Sequence, residues 1–457
     1  MEKDNKKIIT AWAFYDWANS VYPLVITSTT FPIYYLAVTS SKGSSLIRFM
    51  GINFNNSALL TYALSFAYLV IAVLSPLLSG IADYSGSKKK FMQFFCYLGA
   101  ASCSLMYFFT SQTLSLGIVL IILACIGYSG SIVFYNAYLP EIATEENQDR
   151  VSAKGFAMGY IGSSILLILN LIVVLYPQYF FDVDTKMKQI MAQHAGILQT
   201  EALQQAKDSF AGIASRLGFL AVGIWWIVFA QITFYYVPSN PTNRKPEGNY
   251  LFRGYQELVK VWHQLKHTTR LTRFLAAFFV YSMGVQTIMM VATLFGSDTL
   301  KLESGQLIIT ILVIQFVAIA GSYLFSYLSK LIGNIATLKI AVVIWILLCI
   351  GAYFTTTATQ FYILAGVVGL VMGGIQSLSR STYSKMLPET LDHASFFSFF
   401  DVCEKVGIVL GTALFASITQ MTSDMRNAVV SLVLIFVVGL LLLMRVPKIQ
   451  KTESASS

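Results

Sequence analysis

The chain has 457 residues, 56% hydrophobic and 12% charged, with a mean hydropathy of +0.65. Soluble domains carry roughly 25% charged residues, so this composition excludes a soluble enzyme or binding module and places the chain in a bilayer. The net charge of +9 is spread as a topology signal rather than a nucleic-acid patch, so no nucleic-acid partner is expected.

Apolar stretches of at least about 17–20 residues predict membrane helices. Twelve such spans lie at 10–38, 57–82, 91–110, 114–138, 153–176, 216–237, 271–295, 305–329, 336–357, 360–383, 395–420 and 424–445. Span 1 follows Lys3, Lys6 and Lys7 with no A-x-A-like cleavage site, so it is expected to act as its own uncleaved insertion signal. It contains Asp16. A carboxylate at the centre of a span costs about 2.5–3.5 kcal/mol on insertion scales, and persists where it faces a partner or a water-filled cavity. Asp16, Asn19, Ser20, Pro23 and Thr27 recur at helical steps and share one face.

After span 2 comes a short loop with Gly80, Asp83, Gly86 and Lys88, followed by Lys89 and Lys90. The glycines permit a tight turn, Asp83 can cap a helix N-terminus or pair with a base, and the lysines hold the loop inside. Span 4 ends with Tyr135, Asn136 and the triplet Leu139-Pro140-Glu141. In span 5, Gly155, Gly159 and Gly162 suit close helix packing. The long segment 177–215 carries Met187, Ile190, Met191, Ile197 and Leu198 at near-helical spacing, which predicts one or two amphipathic helices over the outer mouth.

A polar, basic linker at 238–270 separates six spans from six, with a surface helix expected over Tyr255–Lys266. Span 7 carries Tyr281 and Gln286, and span 8 Gln315. Span 10 carries Gln376, Ser377, Ser379 and Arg380, and span 11 carries Asp401, Glu404 and Lys405. Asp401 and Lys405 stand four residues apart and can pair along one helix, as a charge network, a gate or a coupling site. The tail 447–457 reads as disordered.

The end of span 4 repeats in span 10. At an offset of 248, Ser129, Ser131, Tyr135 and Leu139-Pro140-Glu141 meet Ser377, Ser379, Tyr383 and Leu387-Pro388-Glu389. Parallel six-span repeats are a transporter architecture, with the substrate site between halves near the midplane. The expected domains are therefore 1–237, the linker 238–270, and 271–446. With both termini inside, the inner segments hold 22 Lys and Arg against 8 outside, which predicts cytoplasmic termini. The five cysteines fall within spans without a C-x-x-C spacing, and the four histidines lie outside spans or at their ends. Neither metal, cofactor nor hydrolytic triad is expected, and no Walker A pattern predicts ATP hydrolysis.

Twelve spans with a G-x-x-D-x-x-G-x-K-K loop after span 2 resemble the major facilitator superfamily. Tyr84 and Ser87 depart from its usual pattern. Four stretches resemble its vacuole-effluxer group: AWAFYDWANSVYPLVITSTTFPIYY (11–35), FYNAYLPEIA (134–143) with RVSAKGFAMGYIGS (150–163), GGIQSLSRSTYSKMLPE (373–389) and FFSFFDVCEKVGIVLG (396–411). The resemblance implies an all-α membrane protein, a twelve-span major-facilitator-type bundle of two six-helix halves, with spans 1, 4, 7 and 10 lining the cavity. It implies a monomeric secondary transporter in a cell membrane that exports amino acids by alternating access, with protons as the candidate coupling ion. A nucleoside, sugar or drug substrate, or a non-transporting scaffold or sensor of the same fold, is the alternative. Expected pathway residues are Asp16, Asn19, Tyr135, Asn136, Tyr281, Gln286, Gln376 and Arg380. An amino-acid carboxylate could meet Arg380 or Lys405, and its ammonium Asp16 or Glu404.

Overall fold

The structure, a computed structural model, describes residues 2–40, 46–194, 196–239 and 250–447. Linker residues 240–249 and the expected disordered tail from 448 onward lie outside the described residues. In hydrocarbon every backbone polar group must be satisfied within the chain, and an apolar run of about 20 residues does this as a helix some 30 Å long. Among the described residues twelve helices meet that condition: Lys6–Thr39, Asn56–Ser85, Lys88–Phe108, Leu114–Ile142, Gln148–Leu175, Gln199–Tyr236, Thr269–Thr299, Gly305–Ile332, Asn334–Phe354, Ala358–Lys385, His393–Thr422 and Met425–Met444. Each matches one expected span in order. An even count returns both ends of the bundle, Lys6 and Met444, to one face, here termed the terminal face.

Span 1 is not uniform. Its α-helix Lys6–Asn19 passes through a π-helical stretch, Tyr22–Thr30, into a second α-helix, Phe31–Thr39. Pro23 and Pro32 mark the two joins by removing backbone donors. The Thr29 hydroxyl donates to the carbonyls of Leu24 (2.8 Å) and Val25 (3.1 Å), which re-satisfies backbone freed by the irregularity.

Span 6 departs most from expectation, because it begins at Gln199 rather than 216. Residues 199–215 are polar and extend the helix by roughly 25 Å outside the apolar zone, where hydropathy gives no signal. The helix Val183–Gln193, capped by Asp182, lies beside this extension, and Phe181 stacks on Phe210 at 5.0 Å. A hairpin was not foreseen: Leu46–Phe49 pairs antiparallel with Ile52–Asn55 across Met50 and Gly51, both at positive φ as a type I′ turn requires.

The linker forms a helix, Tyr250–His267, longer than the surface helix expected there. It docks on the terminal face between spans 2 and 11. Gly254 lies against span 2, where a Cβ would stand 2.9 Å from the Ile81 amide nitrogen. Lys260 reaches Glu257 (2.7 Å) and Asp392 (3.2 Å), and Trp262 packs on Phe399 at 5.5 Å.

Candidate functional site

Asp16 is 5% exposed, and its Oδ2 accepts hydrogen bonds from Tyr135 Oη (2.7 Å) and Arg380 Nη1 (3.1 Å). This ion pair joins span 1 to span 10. Arg380 also donates from Nε to Ser152 Oγ (2.9 Å), from Nη2 to the Ser152 carbonyl (2.8 Å), and from Nη1 to Asn136 Oδ1 (3.3 Å). Its guanidinium lies 4.2 Å from the Phe156 ring centroid and 4.9 Å from that of Trp12. A planar, permanently charged group with several donors and ring contacts suits arginine and not lysine. Trp12 stacks on Tyr135 at 4.4 Å and donates to the Tyr135 carbonyl, fixing the phenol toward Asp16. Gly155 opens the space: a Cβ there would stand 2.5 Å from Asp16 Oδ2 and 2.9 Å from Arg380 Nη2. The span 5 glycines therefore allow close approach, as their spacing suggested.

Between this pair and the terminal face lie three carboxylate hubs. Asp83 accepts from the backbone amides of Ala394 (3.3 Å) and Ser395 (2.7 Å) and from the Ser395 hydroxyl (2.8 Å). It thus caps the start of span 11 from across the bundle, one of the two roles its chemistry permitted. Gly86 ends span 2 in the left-handed conformation, φ +62°, and Gly80 meets the linker-helix backbone at Gly254. Glu141 pairs with buried Lys88 and accepts from His393 Nδ1 at 2.8 Å. Asp149 accepts from Ser329 Oγ (2.8 Å), Asn334 Nδ2 (2.8 Å) and Lys385 Nζ (2.7 Å). These contacts hold spans 2, 4 and 5 against spans 8 to 11, so the terminal face is closed.

On the other side of the Asp16–Arg380 pair, Tyr160 donates to Gln376 Oε1 at 2.7 Å. Gln286 donates to Glu404 Oε1 at 2.5 Å. Lys405 lies 3.2 Å from Glu404 Oε2 and 3.3 Å from Asp401 Oδ1. Lys405 is twelve residues into span 11, roughly 18 Å along its axis, near the middle of the bundle. Tyr68 and Tyr128, from spans 2 and 4, stand within electrostatic reach of both Glu404 and Lys405.

The structure thus brings Asp16, Tyr135, Asn136 and Arg380 into one cluster, and Gln286, Asp401, Glu404 and Lys405 into another. Asn19 is fully buried beside Ser20, and its amide nitrogen has no partner among the described residues. Tyr281 is 1% exposed, and its hydroxyl shares a hydrogen bond with Ser379 (2.7 Å) inside the last six spans. Sequence reasoning missed Ser152, His393 and the Asp149 hub. Glu141 could have been found, since it closes the repeated Leu-Pro-Glu triplet. Its counterpart Glu389 is exposed, so the repeat alone assigns no role.

A family described as "Vacuole effluxer Atg22 like" matches residues 4–456. The MFS-type transporter YxiO of Bacillus subtilis (strain 168) is 33% identical over 454 residues, 99% of this chain and 98% of that protein. Autophagy-related protein 22-1 of Penicillium rubens is 23% identical over 88% of this chain and 77% of its own length. Among solved structures, the human organic anion transporter MFSD10 superposes with a TM-score of 0.68 at 10% identity, over 97% of this chain and all of that one (100%). The E. coli fucose:proton symporter FucP gives 0.64 at 13% identity, over 97% and 98%. At such identities these structures establish the fold alone, a major-facilitator bundle.

Proposed function

The chain belongs to the vacuole effluxer Atg22-like family and is an MFS-type transporter, and on that premise we propose that it exports a small polar solute, amino acids first among them, by alternating access. The observation that carries the reading is the buried Asp16–Arg380 pair, which ties span 1 to span 10 beneath the Gln286–Glu404–Lys405–Asp401 cluster. A pathway sealed at one face by breakable charge pairs, with ionisable groups held above the seal, is what alternating access requires. In this reading the two six-span halves, 1–237 and 271–446, rock about the central cluster. The carboxylate hubs part when the terminal face opens. Titratable carboxylates along the route support protons as the coupling ion, and the bacterial relative supports a cell membrane.

Counterflow in proteoliposomes tests the function. Vesicles loaded with unlabelled amino acids should accumulate labelled amino acid transiently, whereas nucleoside- or sugar-loaded vesicles should not. Accumulation driven by nucleosides or sugars alone would reassign the substrate. Counterflow with none of the three would leave the scaffold reading standing.

A further inference from the structure

The central cluster holds more acids than bases. Asp401 and Glu404 supply two carboxylates, and among the described residues Lys405 is the one ammonium paired with them. Arg380 cannot make up the difference, because Asp16, Asn136 and Ser152 already engage it. An uncompensated charge in a low-dielectric interior is costly and is normally balanced by a partner. Two further observations point to a missing one. Asp401 is 2% exposed, and among the described residues its one ionic partner is Lys405, whose Nζ lies 3.3 Å from its Oδ1. Glu404 keeps 24% of its side chain exposed. Opposite, Tyr68 and Tyr128 stand within electrostatic reach of Glu404, and Tyr22 stacks on Tyr128 at 5.0 Å.

We infer that the solute this cluster takes carries a net positive charge: an amine whose ammonium is received by Glu404, between Gln286 and the tyrosines of spans 2 and 4. The inference rests on the transporter reading and narrows it. Both bases that could receive a ligand carboxylate, Arg380 and Lys405, are occupied by acids of the chain itself. A zwitterion therefore gains a partner for its ammonium and none for its carboxylate, while a cation restores neutrality.

Four six-carbon probes separate these cases: hexylamine, L-lysine, L-norleucine and hexanoate. Binding is measured on the purified full-length protein by thermal shift, and movement by counterflow in liposomes. A charged hydrogen-bond pair contributes about ten- to a hundredfold in affinity. Hexylamine and lysine should therefore bind at least about tenfold more tightly than norleucine, with hexanoate weakest. Glu404→Gln should narrow the preference, weakening hexylamine and lysine about tenfold or more and norleucine by less, while the charge-conserving Glu404→Asp should keep the order. The wild-type order decides the matter even if the Gln variant fails to fold. Norleucine bound as tightly as lysine, or Glu404→Gln weakening all probes equally, would overturn the inference. Transport of norleucine without either cation would overturn it and leave the transporter reading intact. Transport of none of the four would overturn both the inference and the amino-acid reading, leaving nucleoside or sugar counterflow to assign the solute.

Discussion

Asp16 and Arg380 are each legible in the sequence, because an ionisable group in an apolar run announces itself. Their pairing is not, since nothing local ties residue 16 to residue 380. Ser152 is less legible still: a serine among small residues reads as packing, although its hydroxyl and carbonyl both hold Arg380. The pair gives a prediction at this scale. Removing one partner of a buried ion pair strands the other and costs about 3–5 kcal/mol. Asp16→Asn and Arg380→Gln should each lower the melting temperature of the purified protein, and the double variant should recover part of the loss. Additive losses in the double variant would show that the two side chains do not depend on each other. Net transport should fall in all three, because the seal they form is part of the cycle.

At the scale of elements, the spans were legible because the bilayer imposes length and apolarity, and the first turns of span 6 were not because they leave it. The linker helix was seen only as an amphipathic patch, and its seat could not be read. It crosses from span 2 to span 11, one from each side of the seal. Burial, together with a hydrogen bond to Asp392, raises the Glu257 carboxyl above its usual 4.5. Lys260 is raised above its usual 10.5, chiefly by its bond to Glu257. The signs differ in consequence. The docked helix binds more protons at Glu257 than the undocked one, so docking weakens as pH rises through the range just above 4.5. The Lys260 contribution is fully present below 10.5 and is lost only as pH rises through its elevated value. Hydrogen exchange of 254–267 should thus be slower at pH 5 than at pH 7 after correction for intrinsic rates, and Glu257→Gln should flatten the difference. Gly254→Val, which forces a side chain into span 2, should abolish protection at both pH values while span 2 itself stays protected. Unchanged protection would mean the helix is not held by this contact.

For the whole molecule, we propose from the positive-inside count that the terminal face is cytoplasmic. With native cysteines removed, a cysteine at Gln193 should react with an impermeant thiol reagent on intact cells and one at Ser239 should not. The reverse pattern would invert the proposed orientation. The closure of this face was not legible. The residues that make it (Asp83, Lys88, Glu141, Asp149, Lys385 and His393) sit at span ends, where polar side chains are expected for solubility alone. Only their convergence from six spans gives them a joint role. Neutralising one hub with Asp149→Asn should loosen that face, seen as faster labelling of a cysteine placed at Ser377, whose carbonyl now accepts from Ser152 (2.7 Å). No change in labelling would show that the remaining hubs suffice.

The π-helical stretch of span 1 gives the molecule a form of adjustment that none of these pairs provides. A segment bonded to the fifth residue along rather than the fourth holds one residue more than the α-helix needs. That surplus need not stay in one place. If it migrates by a position, one residue turns by roughly 100° about the helix axis, while the helices on either side keep their own bonding. Tyr22 and Thr27 lie in this stretch and meet through their side chains. Span 1 can therefore re-aim the groups facing the centre without bending the part of the helix that holds Asp16. Its outer and inner halves then behave as two elements joined by a movable register rather than as one rod.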